Sequence, residues 1–242
     1  MTTFGTIKKP QRKTWTLADL HRRFGPMPFE RIRQNPPPGS GTVDDVVRLN
    51  DHEDRLCELV DGILVQKTAG LRESIIAGNI LTILNVFVQP RGLGLVAGEA
   101  GTIQLDINLV RISDVSFFSL EHIPGGEIPE EPIPLLIPGL AVEVISRGNT
   151  RKEMDEKLQE YFEKGVRLVW YVRPRSRVVD VYTAPDHFAR LTASMRLDGG
   201  DVLPGFSVQV GELFEIPKRP GNKTEQKKNG PHPEMKNGPR KG

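Results

Sequence analysis

The chain is poor in cysteine, in long apolar runs and in net charge, and each shortage excludes a class of protein. Its 242 residues include one cysteine, Cys57, which excludes an internal disulfide and a multi-cysteine zinc site and favours a reducing compartment. No apolar run in the sequence approaches the roughly 20 residues that a membrane-spanning helix needs. Residues 1–13 lack the apolar core of a signal peptide. We therefore expect a cytoplasmic protein with no membrane partner.

The formal net charge of +2 conceals two regions of opposite sign. From Pro217 onward there are eight Lys or Arg residues and two Glu residues, which leaves 25 basic and 29 acidic residues in the remainder. The folded part is therefore slightly acidic, and overall charge gives no support for nucleic-acid binding by it. A phosphate-binding surface, if the protein has one, must be local.

Composition predicts three regions along the chain. Residues 1–41 form an N-terminal extension with a short helix and a proline-rich connector. Residues 42–216 carry the apolar patterns of strands and helices and form the folded domain. Residues 217–242 are basic and almost free of apolar side chains, so we expect a disordered tail.

The stretch from Leu140 to Tyr161 is the most informative part of the sequence. An apolar run over residues 140–146 predicts a strand buried on both faces, and a helical pattern begins after a short polar turn. Glu143 lies in the middle of this strand, and Lys157 lies on the apolar stripe of the helix. Because an isolated buried charge is costly, the two side chains are expected to meet inside the fold. Such a pair is either a structural ion pair or part of an active site.

Asp114 adds a third charge, at the start of the strand pattern that precedes the central one. An Asp at one strand end, a Glu within the neighbouring strand and a Lys nearby are the minimum set for a magnesium-dependent phosphodiesterase. Mg²⁺ prefers hard oxygen ligands and binds through one or two carboxylates plus substrate phosphate. The ion lowers the pKa of a bound water, and a lysine can position that water. The five histidines have no ligand spacing and are not assigned to a metal.

The chain resembles the Uma-type restriction endonuclease family of the PD-(D/E)XK nuclease superfamily. The resemblance spans residues 49–214 and rests on the order and spacing of several short motifs, which are Glu58-Leu-Val-Asp-Gly62, Asp114-Val, Val142-Glu-Val-Ile-Ser146, Lys157 with Glu160-Tyr161, Gly165-Val-Arg-Leu-Val-Trp170 and Asp201-Val-Leu-Pro-Gly-Phe206. It implies an α/β fold, a restriction-endonuclease-like three-layer core with a central mixed β-sheet flanked by helices.

The resemblance also implies roles for individual residues. Asp114 and Glu143 would hold Mg²⁺, with Mn²⁺ as a substitute, and Lys157 would supply from the helix the lysine that the superfamily usually carries at the position of Ile145. Glu58 would be an additional carboxylate near the site. Ser113 replaces the usual proline, which binds no metal, whereas Arg173 replaces an expected Asp and changes the local charge.

These observations predict a metal-dependent endonuclease acting on DNA, with Asp114, Glu143, Lys157 and Glu58 as catalytic residues. Arg147, Arg151 and Lys152 follow the central strand and are candidates for contacts with the phosphate backbone, although charge in the first turn of a helix is also commonly solvated. The alternative is a catalytically inactive module that keeps the nuclease scaffold and binds nucleic acid or a protein partner. Cleavage of both DNA strands would be easiest for a two-fold homodimer.

Overall fold

The computed structural model describes residues 14–52, 56–68 and 70–216. Their helices are α1, α2, α3 and α4, which span Leu17–Phe24, Val43–His52, Leu71–Val88 and Arg151–Glu163. Short 3₁₀ turns occupy Phe29–Arg31, Gln89–Arg91, Leu120–His122, Pro124–Gly126 and Val210–Phe214. The predicted basic tail lies outside the described residues.

Twelve strands form three sheets in this part of the chain. The strands β1 to β12 are Cys57–Val60, Ile63–Gln66, Gly94–Gly98, Ile103–Asp106, Leu109–Arg111, Val115–Ser119, Leu140–Val144, Leu168–Arg173, Val178–Ala184, His187–Leu191, Arg196–Gly199 and Leu203–Gln209. The main sheet has the order β10-β9-β8-β7-β6-β3, a four-stranded sheet has the order β2-β1-β5-β4, and β11 pairs with β12.

The strand predicted over residues 140–146, the helix after it and an apolar run over Arg167–Val172 that predicts a second, parallel strand form the centre of the main sheet. β7 and β8 pair in parallel, and α4 is the crossover between them, while the other neighbours in this sheet are antiparallel. The sheet is therefore mixed, and α3 covers one face while α4 covers the other. The predicted α/β class with a mixed sheet flanked by helices is confirmed.

The side chains of β7 point alternately toward α3 and toward α4. Leu140, Val142 and Val144 belong to the core cluster beneath α3. Ala141 belongs to the cluster beneath α4, and Glu143 points to that same face because side chains alternate along a strand. A carboxylate is thereby directed toward the helix that carries Lys157.

Apolar segments on both sides of Asp61-Gly62 predict a β-hairpin over Leu56–Gln66, and the hairpin of β1 and β2 is present. Its turn residues, Asp61 and Gly62, both have positive φ, as a tight two-residue turn between antiparallel strands requires. All four residues of β1, Glu58 among them, are buried. The small sheet therefore holds a charged side chain on a strand with little access to water.

The N-terminal segment packs against the body to a greater extent than an extended connector would. Leu20 and Phe24 of α1 share a core cluster with α4, and the Thr150 hydroxyl, which caps α4, donates to the Phe24 carbonyl at 2.8 Å. Arg31 is buried. The connector is thus ordered by contacts that its proline-rich composition does not predict.

The sequence around Asp201–Phe206 predicts a turn that leads into a short helix and gives no indication of the hairpin formed by β11 and β12. Pro204 and Gly205 lie within β12, and both residues weaken a strand pattern. The structure nevertheless pairs β12 with β11 and buries Leu203, Phe206 and Val208 in the cluster beneath α3. Tertiary packing outweighs local propensity here.

The helix α3, extended by its following turn to Arg91, is long and apolar enough to cross a membrane by length and composition. The expectation that no run of the sequence approaches this length is therefore wrong for this helix. Ile76, Ile80 and Leu84 pack into the main core cluster, and buried core helices meet the same criterion by length and composition. One such helix therefore carries little weight for a membrane location.

Candidate active site

Glu143 and Lys157 meet inside the fold, as the sequence predicts. The Lys157 Nζ lies 2.7 Å from Glu143 Oε1 and 2.8 Å from Glu58 Oε1, so one ammonium bridges two carboxylates. The Tyr161 hydroxyl donates to Glu143 Oε1 at 2.6 Å. Lys157 and Tyr161 lie four residues apart on α4, which places both on its buried face.

Glu58 is the most fully paired carboxylate of the site. Its Oε1 accepts from the Ile112 backbone N–H at 2.9 Å, and its Oε2 accepts from Arg111 at 2.7 Å. Burial alone would raise the pKa of Glu58, but Lys157 and Arg111 lower that pKa far below its ordinary value. Burial likewise disfavours the charged form of Lys157. Glu143 and Glu58 outweigh this effect and raise the pKa of Lys157 above its usual value. Both groups are ionised at neutral pH.

Glu143 has the opposite electrostatic balance. Its burial raises the pKa, Lys157 lowers it, and the nearby Asp114 carboxylate raises it again, so that the pKa of Glu143 lies above the ordinary value. Across the described residues, every hydrogen bond and ion pair of Glu143 is made by Oε1. Its second oxygen is therefore the one that a further cation could use.

Asp114 lies across from Glu143 because of strand register. Val115 pairs with Val142 between β6 and β7, and in an antiparallel pair the preceding residue, Asp114, faces the following one, Glu143. The Asp114 N–H donates to the Val142 carbonyl at 3.0 Å, and its Oδ2 accepts from the Val144 N–H at 2.5 Å. Two carboxylates on neighbouring strands are thus fixed side by side.

Lys67 and Glu99 also belong to the site and were missed by the sequence analysis. The Lys67 Nζ lies 2.7 Å from Asp114 Oδ1 and 3.8 Å from Glu99 Oε1. Lys67 directly follows β2, and Glu99 directly follows β3. A charge at a strand end is ordinary, so neither residue stood out. The one available signal was the position of Lys67 directly after the strand pattern Ile63–Gln66.

A cavity of about 1290 Å³ opens beside these residues. Its basic lining residues are Arg31, Lys67, Arg72, Arg147, Arg173 and Arg175, and its acidic ones are Glu73 and Glu99. Arg147, a predicted phosphate contact, is therefore part of the wall. Arg151 and Lys152 instead extend along the outside of α4, where they pair with Asp155 and Glu156. The structure brings only the first of these three residues to the cavity.

The carboxylates of Asp114 and Glu143 fit a magnesium ion whose remaining ligands would be oxygens of water and substrate. Among the described residues there is no group of three or more His, Cys, Asp or Glu side chains arranged around one metal position. Asp114 and Glu143 nevertheless supply two hard carboxylate groups, and Mg²⁺ in nucleotide sites is commonly held by one or two. These two residues are the ones that would hold it.

The mixed sheet and its flanking helices define a fold of the restriction-endonuclease-like class. A solved structure described as a putative nuclease belonging to DUF820, from Anabaena variabilis, superimposes with a TM-score of 0.63 at 19% identity, covering 72% of this chain and 97% of that one. At that identity the similarity shows the fold alone.

The chain belongs to the Uma2 family, described as "Putative restriction endonuclease", whose family model matches residues 43–211. The family resemblance inferred from the sequence motifs is thereby confirmed. A comparison with curated proteins gave no match.

Proposed function

We propose that this protein is a metal-dependent endonuclease that hydrolyses phosphodiester bonds of DNA. Membership of the family and the nuclease fold support a nuclease. The observation that carries the finer proposal is the placement of Asp114 opposite Glu143, with Lys157 bonded to Glu143 at 2.7 Å. A structural ion pair alone would not require the second, adjacent carboxylate.

In the proposed site, Asp114 and Glu143 would hold a Mg²⁺ ion, for which Mn²⁺ could substitute. The bound ion would neutralise charge at the scissile phosphate and lower the pKa of a water. Lys157 orients Glu143 through their 2.7 Å ion pair and lowers the pKa of that carboxyl, and through Glu143 it positions the attacking water. Glu58 holds the Lys157 ammonium in place from the other side. The water oxygen bonds to phosphorus and releases a proton to solvent as the P–O ester bond breaks, and the leaving oxygen takes up a proton from solvent.

The cationic wall of the cavity supports a nucleic-acid substrate. Arg72, Arg147 and Arg175 are exposed and line it, and guanidinium groups bind phosphate oxygens in a bidentate manner. Arg173 lines the same wall and is held by Asp180 at 2.7 Å. Because Arg151 and Lys152 lie outside the cavity and have carboxylate partners, we assign them a smaller share of the affinity for DNA. A two-fold dimer for double-strand cleavage stays a prediction.

Cleavage of supercoiled plasmid tests the proposal. The unaltered protein should nick or linearise the plasmid with Mg²⁺ or Mn²⁺ and not with EDTA, and Asp114→Asn and Glu143→Gln should each reduce the rate by about 100-fold or more. Glu163→Gln, an exposed change on the same helix, should leave the rate unchanged. Equal rates in folded Glu143→Gln and unaltered protein would contradict the proposal.

The inactive scaffold module remains the alternative, and metal binding separates the two. A calorimetric Mg²⁺ titration of the unaltered protein and of Asp114→Asn should show a metal affinity that depends on Asp114. A module that only binds nucleic acid or protein should show no Mg²⁺ affinity that depends on Asp114.

A further inference from the structure

The two lysines of the site differ in what surrounds their ammonium groups. Lys157 is locked between two carboxylates behind the site. Lys67 has its stem along the cavity wall and its ammonium against Asp114, on the side from which substrate would approach. Asp114 itself is not among the residues that line the cavity. Lys67 therefore separates the metal-binding carboxylates from the cavity.

The contact between Lys67 and Asp114 is electrostatic and poorly directed. The Lys67 Nζ is buried and makes no hydrogen bond of acceptable geometry with any described residue, although Asp114 Oδ1 is 2.7 Å away. A buried ammonium usually satisfies its N–H groups, because each unsatisfied donor costs free energy. If hydrogen bonding determined the position of the Lys67 ammonium, its N–H groups would point at acceptors. The position beside Asp114 is therefore better explained by the attraction between opposite charges.

The positive charge of the Lys67 ammonium is needed because several carboxylates surround it. Asp114 and Glu143 lie side by side, Glu99 is close to the same ammonium, and the positive charge of Lys67 also lowers the pKa of Glu143. Adjacent carboxylates with little access to water require a cation between them. Lys67 supplies it, with its ammonium 2.7 Å from Asp114 Oδ1.

We propose that Lys67 occupies the cation position at Asp114 in the metal-free protein and is displaced when a divalent ion binds. This inference rests on the proposed function, since it concerns the same metal site. The displaced ammonium has a second carboxylate, Glu99, within 3.8 Å on the cavity wall. From there it faces the cavity, where it contacts a phosphate of the bound nucleic acid. When the metal binds, Lys67 thus leaves its ion pair with Asp114 and contacts a phosphate of the substrate instead.

Calorimetric titration with Mn²⁺ alone, at fixed pH and ionic strength, tests the displacement. Lys67→Met removes the competing cation and the repulsion it exerts, so Mn²⁺ should bind about tenfold more tightly than to the unaltered protein. Lys67→Arg keeps a positive charge and should bind Mn²⁺ with an affinity close to that of the unaltered chain. Lys164→Met removes a lysine that pairs with Asp106 at the surface, at 2.5 Å, and is the matched control. Lys67→Gln serves as a second neutral variant, and circular dichroism verifies that each protein is folded.

The outcomes separate this inference from the proposed function. Binding that depends on Asp114 but is equal or weaker in both neutral Lys67 variants would overturn the inference and leave the nuclease proposal standing. Mn²⁺ binding that does not depend on Asp114 in any variant would overturn the proposed metal site, and the inference with it.

A second readout tests the phosphate contact. With saturating Ca²⁺ in place of Mg²⁺, Lys67→Met should bind a labelled DNA duplex more weakly than the unaltered protein in fluorescence anisotropy. The slope of log affinity against log salt should fall by about one, as expected when a single lysine–phosphate ion pair is removed. An unchanged duplex affinity and slope would overturn this part of the inference.

Discussion

Five charged side chains extend from the back of the site to the cavity. Glu58, Lys157 and Glu143 form one chain of ion pairs, and Asp114 and Lys67 form the next. Asp114, Glu143 and Lys157 are predictable from sequence, because each is a charge within or at the start of an apolar strand or helix pattern, whereas Glu58 follows only from the family resemblance. Lys67 is not predictable, because β2 belongs to a different sheet from β6 and β7, and only the packing of the two sheets brings the end of β2 to Asp114.

Glu58→Gln is expected to lower the free energy of unfolding by about 3 kcal/mol near neutral pH, because it breaks a buried pair and leaves cations uncompensated. The pKa of Glu58 is lower in the folded protein than its ordinary value of 4.5. Its stabilising effect is therefore complete above that value and is lost as the pH falls through the folded pKa. Urea denaturation at neutral and acidic pH measures the difference between variant and unaltered protein.

That difference should be largest near neutrality and should shrink once the pH falls below 4.5. Glu163→Gln is the control, since it removes an exposed carboxylate from α4 and should change stability little at either pH. A Glu58→Gln effect that is independent of pH would contradict the assignment of an ionised, paired carboxylate at this position.

At the scale of elements, Arg31 joins three segments that position the site. It donates to the Gln66 carbonyl at the end of β2 and to the Gly148 carbonyl in the turn after β7, and it pairs with Glu153 in the first turn of α4 at 2.6 Å. The family model begins at residue 43, so this clamp comes from the segment that precedes the matched region. Proline-rich composition predicted an extended connector there and gave no sign of the buried arginine.

Arg31→Met should destabilise the protein by about 3 kcal/mol, because Glu153 is left buried without its partner. Adding Glu153→Gln should recover part of the loss, since the double variant has no unpaired charge. Arg22→Met is the matched control in the same segment, where Arg22 pairs with Asp19 at the surface. Thermal and urea unfolding of the unaltered protein, Arg31→Met, Glu153→Gln, the double variant and the Arg22→Met control measures the coupling. Strictly additive losses in the two single variants and the double variant would contradict the proposed role of Arg31.

The elements that the sequence predicted well are those with a long, uninterrupted pattern. β7, α4 and β8 follow from an apolar run, a Thr150 cap and a second apolar run, and the structure has all three. β11 and β12 could not be predicted in the same way, because Pro204 and Gly205 interrupt the pattern and burial against α3 supplies what propensity does not.

At the scale of the whole molecule, composition conceals the cationic wall. Its arginines and lysine come from separate segments, and the surrounding body has more acidic than basic residues. Folding collects the basic residues around one cavity, whereas Arg151 and Lys152 remain on the outside of α4. Net charge could not have located this wall, since it averages over the entire surface.

The double variant Arg72→Ala with Arg175→Ala should weaken binding to a DNA duplex and reduce the salt slope by about two, one for each arginine–phosphate ion pair removed. The double variant Arg151→Ala with Lys152→Ala removes the same charge outside the cavity and should have a much smaller effect. Fluorescence anisotropy over a series of salt concentrations measures both. Equal losses of affinity in the two variants would show that general charge, and not the cavity wall, determines binding.

The central claim is that Asp114 and Glu143 bind one divalent ion, with Lys67 between these carboxylates and the cavity. A crystal soaked in Mn²⁺ and measured at the manganese absorption edge tests it most directly. We predict an anomalous peak within coordination distance of both carboxylates, with the Lys67 ammonium moved away from Asp114. A crystal that contains Mn²⁺ elsewhere, with no peak at this position and Lys67 still against Asp114, would contradict the account.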